Sequence, residues 1–158
     1  MLQTSTDKPK LLMNLPLAQR KAILAAAIQE AIENKARAGL TEFAQYVDPN
    51  AAKWYRAPHL RRASDFATRI TQTPRGRGIL IMPPRHWKSS LCSEKLPAWY
   101  LGNHPDHSLI EATNSDTLAL SFSRNIRSII ESPRFRSLFD VRLRRGSNEV
   151  QQWSLEQA

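Results

Sequence analysis

Apolar residues recur at helical spacing in three long stretches of the chain. The first stretch, residues 16–38, opens at Pro16 and is followed by Gly39, a favourable pair of start and stop signals for a helix. The second covers residues 58–70, and the third covers residues 115–131 behind a Ser-Asp cap. A shorter pattern also predicts a helix that is capped by Thr41 and runs to Val47.

Three other segments carry strand patterns. Residues 79–82 form a continuous apolar run, which is typical of a strand buried on both faces. Residues 108–113 are also apolar, and residues 150–155 alternate weakly. A helix is expected over residues 88–101, between the first two strands. This order of strands and helices predicts an α/β domain with a parallel sheet, in which residues 79–82 are the central strand.

Composition narrows the class of protein. The 158 residues fit one ordinary domain, and 41% hydrophobic with 23% charged residues excludes collagen-like, coiled-coil and wholly disordered chains. The single cysteine, Cys92, excludes an intramolecular disulfide and a cysteine-rich zinc site, and it favours a reducing compartment such as the cytosol. The apolar runs are far shorter than the ~20 residues that span a bilayer, so we expect no membrane partner.

Positive charge is concentrated in one part of the chain. The formal net charge is +9, and residues 53–88 contain nine cations and one carboxylate, Asp65. Such a cluster attracts nucleic acid or nucleotide phosphates, although an ordinary solvated basic surface has the same composition. Candidate contacts to DNA or to a neighbouring subunit lie in this region and on the third predicted helix, where a solvated helix face is the alternative: Arg61, Arg62, Arg75, Arg77, Arg124 and Arg127.

The segment 79–90 joins a strand pattern to a basic loop that ends in Lys-Ser at a helix start. A phosphate-binding loop (Walker A) has this layout, with the lysine on the β- and γ-phosphates and the next hydroxyl on Mg²⁺. These roles would fall to Lys88 and Ser89, but Met82 and Trp87 occupy the two glycine positions of the pattern. The loop could instead present an aromatic ring and basic groups to a nucleic-acid strand, or Trp87 could simply cover the edge of the core.

A series of linked motifs resembles the ATPase segment of terminase large subunits, the DNA-packaging motors of tailed phages and prophages. The motifs are Pro-Pro-Arg-His-x-Lys-Ser at residues 83–89 and Leu-Pro-Ala-Trp-Tyr-Leu-Gly at residues 96–102. They continue with Ala-Thr-Asn-Ser-Asp at residues 112–116 and Ser-Pro-Arg-Phe-Arg-x-Leu-Phe at residues 132–139. The resemblance spans about residues 43–155.

The resemblance implies a RecA-like ATPase in which ATP and Mg²⁺ drive double-stranded DNA into a procapsid. The implied partners are the portal, the terminase small subunit and further copies of the chain in a ring. Lys88 would hold phosphates, Ser89 would ligate Mg²⁺, and Arg85 could contact the γ-phosphate and act in catalysis. The implied nucleotide-binding residues also include four residues of the loop and the helix start, Pro84, His86, Trp87 and Ser90. Two further residues, Tyr55 and His59, are candidates for contacting the adenine base.

Two departures from the family limit the expected activity. Trp87 stands where terminases have glycine, at a point where the backbone passes close to phosphate. An apolar strand ending in Asp-Glu and the acidic cluster of a nuclease domain are also missing. We therefore expect an N-terminal portion of a terminase large subunit, inactive alone and weak in ATP binding, from a truncated reading frame. The alternatives are a nonenzymatic nucleic-acid or partner-binding fragment and a degenerate prophage remnant.

The expected organisation has three parts. Residues 1–10 form a loose tail, residues 11–50 form an N-terminal helical segment, and residues 51–158 form an incomplete P-loop ATPase domain. The bacterial host cytosol is the expected location.

Overall fold

The computed structural model describes residues 15–144, 146 and 149–157. The predicted tail, residues 1–10, lies outside the described residues. The chain divides into two compact units, Met1–Ile32 and Glu33–Ala158. Among the described residues, the first unit contributes the greater part of one long helix, and the other elements belong to the second unit.

Helices make up most of the described chain. In order, the elements are α1 (Leu17–Ala38), α2 (Leu40–Val47), α3 (Ala52–Tyr55), α4 (Pro58–Gln72), α5 (Lys88–Ser90), a π-helical turn (Leu91–Lys95), α6 (Leu96–Asn103), α7 (Asp116–Glu131), α8 (Pro133–Leu138), β1 (Val141–Leu143) and β2 (Leu155–Gln157).

The predicted helices are confirmed, and side-chain caps account for the starts of two of them. Ser115 caps α7, because its side chain accepts a hydrogen bond from the backbone N–H of Leu118 at 3.3 Å. Ser132 ends α7 and caps α8 by accepting from the N–H of Phe135 at 3.2 Å. The predicted cap at Thr41 is wrong, because α2 begins at Leu40 behind Gly39.

The core of the second unit is apolar and aromatic. Phe43 of α2, Phe135 of α8 and the following Phe139 pack together, with ring centroids 5.0 to 6.3 Å apart. The indole N–H of Trp99 in α6 donates to the carbonyl of Arg37 at 2.9 Å, and the Arg37 guanidinium donates to the carbonyl of Leu138 at 2.6 Å. These bonds join the end of α1 to α6 and α8.

The predicted parallel sheet is wrong. The sheet of the described chain has two strands, β1 and β2, and they are antiparallel, with Val141 opposite Gln157 and Leu143 opposite Leu155. Residues 79–82 and 108–113 form no strand, and the predicted third strand, residues 150–155, shares only its last residue with β2. The RecA-like core that the resemblance implied is therefore not the architecture of this chain.

The exposure of residues 79–82 explains the error. Leu80 and Met82 pack against the core, whereas Ile79 and Ile81 are 84% and 88% exposed. Ile110 in the other predicted strand is 94% exposed. An apolar run becomes a buried strand only when neighbouring strands take up its backbone hydrogen bonds and cover its second face. No strand within the described residues does so for either segment, since β1 and β2 pair with each other.

Candidate functional site

The basic loop, residues 83–87, leads directly into a long helical stretch. Residues 84–87 are turns and bends, and α5 begins at Lys88 and continues through the π-helical turn into α6. The first hydrogen bond of this stretch runs from the N–H of Leu91 to the carbonyl of Trp87 at 2.9 Å. Because the earlier amide groups of a helix have no partner within it, this end can receive an anion.

Two residues of the basic loop have left-handed backbone conformations. Arg85 has a φ of 63°, and Trp87 has a φ of 60° with a ψ of 13°. Glycine adopts this region freely, whereas a bulky side chain pays a steric penalty there. The backbone at residue 87 therefore has the conformation for which glycine is the favoured residue, although tryptophan is present.

The side chain of Trp87 packs on α3. Its ring stacks on that of Trp54, with centroids 6.2 Å apart and planes 17° from parallel. The edge-to-face contact with Tyr55 has a centroid distance of 5.9 Å. Lys53 places its ammonium 5.0 Å from the centre of the Trp54 ring. Trp87 thus belongs to an aromatic cluster beside the basic loop, and the sequence pattern did not identify Trp54 as part of it.

Tyr55 supports the start of the helix from inside. It is 1% exposed, and its hydroxyl lies 3.1 Å from Oγ of Ser90. Burial raises the pKa of Tyr55 to about 12, partly offset by the hydrogen bond to Ser90. Tyr55 therefore stays neutral at ordinary pH and fixes the position of Ser90.

His59 and His86 are brought together at the surface. Their ring centroids are 5.6 Å apart at 73°, and both side chains are exposed. His86 also contacts the basic loop itself, since its Nδ1 lies 2.8 Å from the carbonyl oxygen of Pro84. A protonated Nδ1 donates this bond and closes the turn. His59 and Tyr55 thus both contact side chains of the basic loop.

A polar network lies behind the helix start, and sequence reasoning missed it. The carboxylate of Glu94 accepts from Oγ of Ser90 at 3.2 Å and from Nδ2 of Asn125 at 2.9 Å. The ammonium of Lys95, which is 7% exposed, lies 3.5 Å from Glu94 and 3.8 Å from Asp48. The four-residue spacing of Ser90 and Glu94 is the signal that could have revealed the first of these contacts.

Two further groups extend this environment. Burial raises the pKa of the Cys92 thiol, an effect opposed by the positive charge of Lys88. Burial also raises the pKa of Glu111, with a smaller contribution from the charge of Glu94, and a hydrogen bond with Ser93 opposes the shift. Glu111 thus lies against the helical stretch behind the basic loop, where it is half-buried.

The other predicted contact residues are spread over the surface. Arg61 and Arg62 are exposed on α4, Arg75 and Arg77 follow that helix, and Arg124 is exposed on α7. Arg127 is half-buried and donates to the carbonyl of Glu149 at 3.3 Å. Lys88 is half-buried and Ser89 is exposed at the helix start.

Cationic side chains and the first backbone amides of a helical stretch lie together at the basic loop. Lys88, Arg85 and the first amide groups of the helix can all meet phosphate oxygens. Among the described residues, no group of three or more histidine, cysteine, aspartate or glutamate side chains could hold a metal ion.

Comparison of the chain with protein-family models, with curated proteins and with solved structures gives no match. Across the described residues, none of the helices has the length and apolar character needed to cross a membrane.

Proposed function

We propose that the chain is the N-terminal ATPase segment of a terminase large subunit, and that its basic loop and α5 bind the phosphates of a nucleotide. The observation that carries this proposal is the left-handed backbone of Trp87, directly before Lys88 at a helix start. Terminase large subunits, which the motifs of this chain resemble, have glycine at this position. The backbone at residue 87 thus has the left-handed conformation that glycine would adopt easily in a phosphate-binding loop.

Each group at the basic loop has a distinct role in this proposal. Lys88 holds the β- and γ-phosphates, Ser89 contributes its hydroxyl to the magnesium of Mg·ATP, and Arg85 contacts the γ-phosphate. Ser90 is held by Tyr55 and Glu94, so it supports the loop without touching the nucleotide. As part of a packaging motor in the host cytosol, the chain would work with double-stranded DNA, the small subunit, the portal and further copies in a ring.

The described chain is expected to bind Mg·ATP without turning it over. Hydrolysis needs a carboxylate that is free to orient and deprotonate water. Glu94, the carboxylate behind the helix start, accepts hydrogen bonds from Ser90 and Asn125 and pairs with Lys95, so most of its acceptor sites are occupied. A phosphate-release assay on the unmodified chain should give no signal above background, and robust release would show that another carboxylate serves as the base.

Isothermal titration with Mg·ATP tests the binding proposal. Trp87→Gly should tighten binding several-fold over the unmodified chain, because it removes a bulky side chain where the backbone approaches phosphate. Adding Lys88→Ala to that variant should weaken binding about tenfold or more, the typical effect of losing a charge-assisted hydrogen bond.

Lys53→Ala in the Trp87→Gly background is the matched control, since it removes the same charge from outside the basic loop. It should change affinity by less than about twofold, as expected for a screened surface charge. An equal loss from Lys53→Ala and Lys88→Ala would mean that net charge alone attracts the nucleotide, and the phosphate-loop proposal would then be wrong.

A further inference from the structure

The ring pair of Trp54 and Trp87 is an exposed aromatic surface on a highly charged chain. Trp54 is 48% exposed and Trp87 is 37% exposed, even though each ring contacts the other. Large aromatic side chains contribute most to folding when they are buried, so two neighbouring rings that remain accessible indicate a surface for recognition.

Holding Trp87 in this position has an energetic cost. Its φ of 60° is an outlier for a bulky residue, and outliers of this kind persist where the surrounding structure enforces them, often at functional sites. The contacts of Trp87 with Trp54 and Tyr55 supply that enforcement. The strained backbone and the exposed ring pair are independent observations, and both concern the same side chain.

The charge around the ring pair selects its ligand. The ammonium of Lys53 lies 5.0 Å from the centre of the Trp54 ring, and Arg56, which is exposed, follows two residues after Trp54 in the chain. Aromatic side chains bind planar rings by stacking, and a neighbouring cation favours a ligand in which negatively charged groups alternate with those rings. Single-stranded nucleic acid has this repeat of unstacked bases and phosphates, whereas the bases of a duplex are already stacked on each other.

We propose that Trp54 and Trp87, with Lys53, form a base-stacking site for single-stranded nucleic acid. A base stacks on the indole surface, and Lys53 contacts the adjoining phosphate. The site differs from the proposed phosphate-binding loop in its chemistry, because it uses side-chain rings where the loop uses backbone amides, Lys88 and Ser89. It therefore does not depend on nucleotide binding by that loop.

Fluorescence anisotropy with a labelled oligothymidylate and a duplex of equal length, at the same salt concentration, tests the proposal. The unmodified chain should bind the single strand more tightly than the duplex. Trp54→Leu should weaken single-strand binding about tenfold, within the range for removing one stacking partner, and should leave duplex binding within twofold. Trp54→Tyr should restore most of the affinity because it returns a ring to the position. Far-UV circular dichroism of both variants checks that the helices are intact.

Two further measurements separate this site from the phosphate-binding loop. Lys88→Ala should retain the preference for the single strand, and excess Mg·ATP should not displace the oligonucleotide. The proposal is overturned if the duplex binds as tightly as the single strand, or if Trp54→Leu and Trp54→Tyr behave alike. Displacement by Mg·ATP would equally overturn it, because the rings would then receive the base of a free nucleotide.

Discussion

The left-handed backbone at Trp87 makes a quantitative prediction for two substitutions at the same position. Trp87→Gly and Trp87→Ala both remove a ring that is 37% exposed, so both lose about 150 Å² of buried apolar surface, or about 3 kcal/mol of stability. Only alanine retains a Cβ in the left-handed region at a φ of 60°. The glycine variant should therefore be more stable than the alanine variant by about 1 kcal/mol.

Urea unfolding followed by far-UV circular dichroism measures this difference, and Trp54 provides the matched control. Trp54 lies inside α3, where alanine is favoured over glycine by about 1 kcal/mol, so the order of the two variants should reverse there. If Trp87→Ala were as stable as Trp87→Gly, residue 87 would not be left-handed, and the argument that its backbone suits a phosphate-binding loop would fail.

Three other features give predictions of stability and association. Glu94→Ala should cost about 2 to 3 kcal/mol in urea unfolding, because it removes the hydrogen-bonding partner of Ser90 and Asn125 and the nearer counter-ion of buried Lys95. Glu156→Ala, which breaks two partly exposed ion pairs, should cost less than about 1 kcal/mol. Tyr55 should ionise near pH 12 in absorbance titrations. Because the pKa of Tyr55 is higher in the folded than in the unfolded chain, its contribution to the free energy of unfolding is complete below pH 10 and is lost as the pH rises from 10 towards 12. Tyr55→Phe should abolish this loss. Because Ile79 and Ile81 are exposed, sedimentation velocity should show concentration-dependent self-association of the chain. The double variant Ile79→Ser, Ile81→Ser should reduce it, and unchanged association would exclude this exposed apolar segment as its cause.

Local signals in the sequence were sufficient to predict the helices. Pro16, Gly39 and the Ser115 cap mark helix ends through their own backbone preferences or side-chain hydrogen bonds, which do not depend on distant residues. The strands required information of another kind. The run at residues 79–82 is apolar on both sides, yet whether it pairs depends on partners elsewhere in the chain, and a four-residue run does not specify them.

The candidate site was predictable where chemistry follows from spacing along the chain. Lys88 and Ser89 lie at a helix start, as the pattern of residues 79–90 predicted, whereas Tyr55 was a candidate only through the family resemblance and contacts Ser90 through tertiary packing. The stack of Trp54 on Trp87 joins residues far apart in sequence, and no periodicity links them. The hydrogen bond from Asn125 of α7 to Glu94 also joins residues far apart in sequence, so the local sequence pattern did not predict it.

Amide chemical shifts of the Trp87→Gly variant during titration with Mg·ATP test the central claim most directly. If the basic loop and α5 bind nucleotide phosphates, the backbone amides of residues 85–90 should shift together and saturate, and Lys88→Ala should raise the Mg·ATP concentration needed for saturation about tenfold or more. Saturable shifts confined to other parts of the chain, with the amides of residues 85–90 unmoved, would contradict the assignment of this loop as a phosphate-binding site.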